Sequence, residues 1–138
     1  MGLQPVGLME SGVLMKMPFN PVFCSDEEST RVHGGILTSL LDSAFGFANM
    51  VAIDQIETMA TLDLRVDYLR PAAARTDLYV FAECYRATRH VAFMSGRVWF
   101  DGGEDVARGT ASFAIVRGPR GNLMSVLPPA APTEAASE

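Results

Sequence analysis

The stretch from Gly34 to Ala52 constrains this chain more than any other, because its only charged side chain is Asp42. Apolar residues fall at Ile36, Leu37, Leu40, Leu41, Ala44, Phe45, Phe47, Ala48 and Val51, the one-, three- and four-residue spacing of a helix. A helix that apolar is buried on most of its sides. The rest of the chain must therefore supply a cover for it.

The cover reads as antiparallel sheet. Gly12 to Met17 is a short apolar run stopped by Pro18, which suits a first strand. Pro18 to Val32 turns polar and reads as a loop feeding the helix. From Thr58 to Leu69 residues alternate, with Leu62, Leu64 and Val66 expected on one face and Thr61, Asp63, Arg65 and Asp67 on the other. Leu78 to Ala87, His90 to Phe100 and Asp105 to Val116 are further strands, the last two joined by a turn at Asp101-Gly102-Gly103-Glu104. Strand, buried helix and about four antiparallel strands, with no βαβ alternation, make an α+β fold with one helix laid on one sheet.

The chain of 138 residues suits one domain, expected over residues 1–127. The Pro-, Ala-, Ser- and Glu-rich residues 128–138 have little to bury and are expected to be disordered. A net charge of -5 argues against a nucleic-acid partner. No run of about 18 uninterrupted apolar residues and no basic leader is present, so the expectation is a cytoplasmic protein outside the membrane. Cys24 and Cys84, without metal-ligand spacing, read as small core residues. With only His33 and His90 as histidines, a zinc site is not expected. Serine-hydrolase, P-loop and dinucleotide fingerprints are missing.

Two features remain that could carry chemistry. The first is His33-Gly34-Gly35 at the helix start, where N–H groups have no intrahelical partner and the helix dipole is positive. The Gly34 or Gly35 N–H could hold a carbonyl that becomes an oxyanion, or the glycines could simply permit a tight entry turn. The second is Asp42, flanked on the helix by Thr38, Ser39, Gly46 and Asn49. It is either a satisfied, partly solvated acid or a reactive one. Gly34 and Asp42 stand eight residues apart, roughly 12 Å along a helix. They reach one carbon only across a two-fold dimer of antiparallel helices.

Taken together, VHGGILTSLLDSAFGFA, TLDLRVDYLRPA and CYRATRHVAFMSGRVWF resemble the phenylacetate-pathway-type (PaaI-type) hotdog thioesterases, from about Val13 to Val116. The resemblance implies a hotdog fold, a sheet wrapped around the central helix, assembled as a homodimer and often a homotetramer. It implies hydrolysis of an acyl-CoA, with an aromatic or medium-chain acyl group, without metal or redox cofactor. By position it assigns Asp42 as nucleophile or general base, Gly34 as the N–H polarising the thioester carbonyl, His33 as a neighbour shaping that site, and Thr61 as a positioner of water or carboxylate. Strict alternation puts Thr61 on the face away from Leu62 and Leu64, so that role requires an irregular strand or a neighbouring subunit. The Asn-then-Gly that often precedes the motif in the family is replaced here by Ser25 to Thr30. Gly35, Phe45, Arg70 and Arg89 are candidate substrate contacts, with Phe47 and Met50 in the acyl pocket and Arg117 and Arg120 near phosphates. A hotdog hydratase or dehydratase, and a non-catalytic acyl-CoA-binding dimer, are the alternatives.

Overall fold

A computed structural model of the chain describes residues 1–26, 28, 31–53, 58–73 and 75–116. Strands β1 (Gln4–Leu8) and β2 (Val13–Met17) precede one helix, α1 (Gly34–Ile53). β3 (Thr58–Tyr68), β4 (Leu78–Ala87), β5 (Val91–Phe100) and β6 (Asp105–Val116) follow. They form one six-stranded sheet in the order β1-β2-β4-β5-β6-β3, and every neighbouring pair is antiparallel. β1 and β3 are its edges. The tail 128–138, Arg117 and Arg120 lie outside the described residues.

Alternation along β2, β4, β5 and β6 puts Met15, Val80, Ala82, Met94, Val98, Ala111 and Phe113 on the face that meets α1. The helix answers with Leu37, Leu40, Leu41, Ala44, Phe45 and Ala48, all buried. Close approach of the two layers depends on Gly96 and Gly109, which face each other across β5 and β6. A Cβ on Gly96 would stand 2.8 Å from the Phe45 ring, and one on Gly109 3.0 Å from Leu41. Two missing side chains thus make the seat for the helix. By length and a mean hydropathy of 1.5, α1 would suffice for a membrane span. Here its apolar face is spent on the sheet.

The sequence did not announce β1. Pro5 and Gly7 argue against a strand, but β1 is an edge with every residue exposed and an irregular register between those two positions. An edge strand tolerates a missing donor and a missing side chain. The second departure is in β3, where the register shifts between Thr61 and Asp63: Thr61 pairs with Phe113, and Asp63 with its neighbour Ser112. Leu62 is the extra residue of a β-bulge. It is 59% exposed rather than on the buried face with Leu64 and Val66.

Candidate active site

The loop entering α1 is tied at three points. The Val32 N–H donates to Ala72 O at 3.0 Å, the His33 N–H to Phe23 O at 2.8 Å, and Ser25 N–H to Arg31 O at 2.8 Å. His33 then caps the helix: its Nδ1 accepts from the Gly35 N–H at 2.9 Å. In that arrangement the neutral ring carries its proton on Nε2. The Gly35 N–H is consequently spent within the chain, which corrects its candidacy as a direct donor to substrate. For the Gly34 N–H, the described residues provide no partner. At the N-terminus of a twenty-residue helix, that donor has the dipole behind it.

A second cluster lies along the seam between α1 and β3. Thr61 Oγ1 donates to Asp42 Oδ1 at 2.9 Å. The β-bulge explains how. By placing Leu62 outside the ladder it turns Thr61 to the same side as Leu64, the side that meets the helix. This is the irregular strand that the placement of Thr61 beside Asp42 required. Asp42 itself is half-buried on α1, with the Thr61 side exposed to solvent.

Nearer the helix start, Tyr68 Oη and Thr38 Oγ1 are 2.6 Å apart, and the Tyr68 hydroxyl donates to Gly34 O at 3.3 Å. The phenol ring lies 3.2 Å from where a Gly34 Cβ would be, so a side chain there would push the ring back by a few tenths of an ångström. Sequence reasoning did not assign Tyr68 a role, and its signal was only a tyrosine at the end of a strand.

At the far end of the seam Asn49, two turns beyond Asp42, is fully buried. Its Nδ2 donates to Met59 Sδ at 2.6 Å, and its Oδ1 has no partner. An unpaired buried carbonyl costs about 1–3 kcal/mol.

α1 runs unbroken from Gly34 through Asp42, so the two remain roughly 12 Å apart along one helix. Phe45 is fully buried over Gly96 and Gly109, a core residue rather than the wall of an open pocket. Arg70 is ion-paired with Glu104, both side chains reaching solvent. Arg89 is exposed in the turn between β4 and β5. That turn adjoins the end of β6 and the start of β3, whereas Arg70 follows the end of β3, so the two arginines lie at opposite ends of the sheet. A groove of about 460 Å³ on the sheet face away from α1 holds none of these candidates. Its Arg97 and Arg108 are both paired with Asp105. Among the described residues no three His, Cys, Asp or Glu side chains gather as a metal site.

The thioesterase superfamily model matches residues 30–107, more than half of the chain and the whole of the α1–β3 seam. The chain belongs to the thioesterase superfamily. Among solved structures of similar fold, a Pseudomonas aeruginosa protein is 35% identical, with a TM-score of 0.74 over 83% of this chain and 86% of that one. A Bacillus halodurans protein solved with CoA is 30% identical, with a TM-score of 0.64 over 75% of this chain and 66% of that one. A putative esterase of Halobacterium salinarum is 39% identical over 94 residues, which are 62% of this chain and 61% of that protein. This thioesterase-superfamily chain is thus a hotdog fold of the α+β class.

Proposed function

We propose that the protein hydrolyses an acyl-CoA, of aromatic or medium-chain acyl group, to the free acid and CoA thiol, and that it is of the phenylacetate-pathway type. The observation that carries this is the Thr61–Asp42 pair, a carboxylate held at 2.9 Å by a hydroxyl on a seam open to solvent. Support for CoA as the carrier comes from the Bacillus halodurans relative, which was solved with CoA.

The site is shared between two copies of the chain. Asp42 and Thr61 come from one subunit, and the Gly34 N–H comes from the other, where it holds the thioester oxygen as charge builds on it. His33, by fixing the Gly35 N–H, sets the helix entry and aims that donor. The uncovered side of α1, with Phe47 and Val51 nearly half exposed, and the unpaired edge of β3 supply the apolar surface and open ladder for a two-fold contact. The homodimer, and a homotetramer built from it, belong to this reading. So does the absence of a metal or redox cofactor.

Two routes use the same groups. As general base, Asp42 takes a proton from water, the hydroxide adds to the carbonyl carbon, and the intermediate expels CoA thiolate, which is then protonated. As nucleophile, the carboxylate displaces CoA thiolate to form a mixed anhydride that water cleaves. Repeated turnover in heavy-oxygen water distinguishes them, since only the second leaves label in Asp42. Asp42→Asn should lower kcat by about 10²–10⁴-fold in a thiol-release assay across a panel of CoA esters while the melting temperature holds. Retention of most activity would remove Asp42 from the mechanism. Tight binding of CoA esters with release from none would favour a non-catalytic dimer instead.

A further inference from the structure

The donor that the proposed reaction takes from the backbone belongs to a residue poorly able to hold it still. Gly34 has no side chain and stands at the first helical position, where the N–H has no intrahelical partner. A donor that swings must be re-aimed in every turnover, which forfeits the benefit of a prearranged oxyanion site. On the N-terminal side the entry is restrained, since His33 O accepts from the Ile36 N–H and His33 Nδ1 from the Gly35 N–H, both at 2.9 Å. On the carbonyl side a second restraint comes from outside the helix. Tyr68, the last residue of β3, lays its ring beside Gly34 with its hydroxyl 3.3 Å from Gly34 O. Thr38 Oγ1 stands 2.6 Å from the phenol oxygen and 3.4 Å from the same carbonyl. Whichever hydroxyl donates to the other, the one that accepts is free to donate to Gly34 O. The Leu69 N–H, bonded to Val106 O at 2.9 Å, anchors the backbone next to Tyr68.

We propose that Tyr68 is a positioning residue of the thioesterase, its hydroxyl fixing the Gly34 peptide so that the Gly34 N–H is aimed at the thioester oxygen before charge builds there. The inference rests on the shared-site thioesterase reading and deepens it, giving the Gly34 half-site a residue from β3 as the Asp42 half-site has Thr61. Folding gains little from the arrangement: Tyr68 is 54% exposed, and a hydrogen bond open to water contributes little to stability. Catalysis gains more. Where Asp42 of one chain meets Gly34 of the other, Thr38, four residues from each, falls at the two-fold axis, and the partner helix covers the phenol. Out of water the same hydroxyl bonds hold more firmly.

Tyr68→Phe keeps the ring and removes the hydroxyl. With benzoyl-CoA and hexanoyl-CoA in a thiol-release assay, it should lower kcat by about tenfold or more, because the aim of the donor matters most once the oxygen carries charge. KM should stay within about twofold and the melting temperature should hold. A second readout follows the carbonyl itself. In the Asp42→Asn protein the same esters, labelled with heavy carbon at the thioester, give an infrared band whose frequency falls when the Gly34 N–H holds the oxygen. Adding Tyr68→Phe should return part of that shift. Unchanged kcat would overturn the assignment. So would a lower kcat with the band in place, since a merely structural effect on turnover leaves the bound carbonyl as it was. If the unsubstituted protein hydrolyses neither ester, the thioesterase reading fails by itself, and the band of the bound ester still decides on Tyr68: a returned shift supports it and an unmoved band refutes it. Esters that do not bind at all would refute both.

Discussion

Thr61 shows how one extra residue in a strand relocates a functional hydroxyl. Alternation along β3, counted from Leu62, turns Thr61 away from the helix, and only the bulge at Leu62 returns it to Asp42. Period-two patterns carry no mark of a bulge until the partner strand is known, which is why the sequence left this contact undecided. Thr61→Val keeps the shape and removes the donor. It should reduce kcat by about 10-fold or more with little change in melting temperature, because the hydroxyl is exposed. Equal kcat would leave Thr61 a bystander. His33 was legible as part of the motif, but its service as acceptor for Gly35 was not, since that depends on the ring's rotamer. Asp77 offers a pH effect. Its carboxylate accepts from the Phe19 N–H, against an opposing effect of burial, and pairs with Lys16, so its pKa is held below the usual carboxylate value. A depressed folded pKa means that the benefit is present above the unfolded value of about 3.9 and is lost as pH falls through the folded one. Asp77→Asn should show a small loss of thermal stability at pH 7 that disappears in acid.

At the level of elements, α1 was readable to within a residue because a helix-periodic run with a single charged side chain has one solution, and β4 and β6 followed from their alternation and turns. β1 was not, since an edge strand exposed along its whole length leaves no apolar pattern. Nor did the sequence disclose why α1 can lie so near the sheet. Gly96 and Gly109 look like isolated strand glycines until the register sets them side by side beneath Phe45 and Leu41. Gly96→Ala should overpack this seat and destabilise by about 1–3 kcal/mol in chemical denaturation. Phe45→Ala should cost about 3–5 kcal/mol, the mark of a core residue and not of a substrate contact. A Phe45→Ala protein with wild-type stability and altered acyl preference would reverse that placement.

For the whole molecule, the proposed function joins the half-sites on one chain to the uncovered side of its helix through one prediction, a second copy. Sequence alone gave the 12 Å separation of Gly34 and Asp42, and the unbroken α1 preserves it. On that proposal, Phe47→Asp, at an exposed position within one chain, should leave folding near normal but give a monomer in light scattering where the unsubstituted protein gives a dimer, and abolish turnover along with it. The most direct test mixes two inactive proteins. Gly34→Pro deletes the N–H at the first helical position, where the helix backbone admits proline and the exposed Tyr68 ring need shift only slightly, and Asp42→Asn deletes the carboxylate. Unfolded and refolded together in equal amounts, half of the dimers contain one of each chain, and each such dimer has one intact and one doubly defective site. Recovery of about a quarter of wild-type activity is the predicted result; activity no greater than that of the two variants refolded separately would contradict a site shared between subunits.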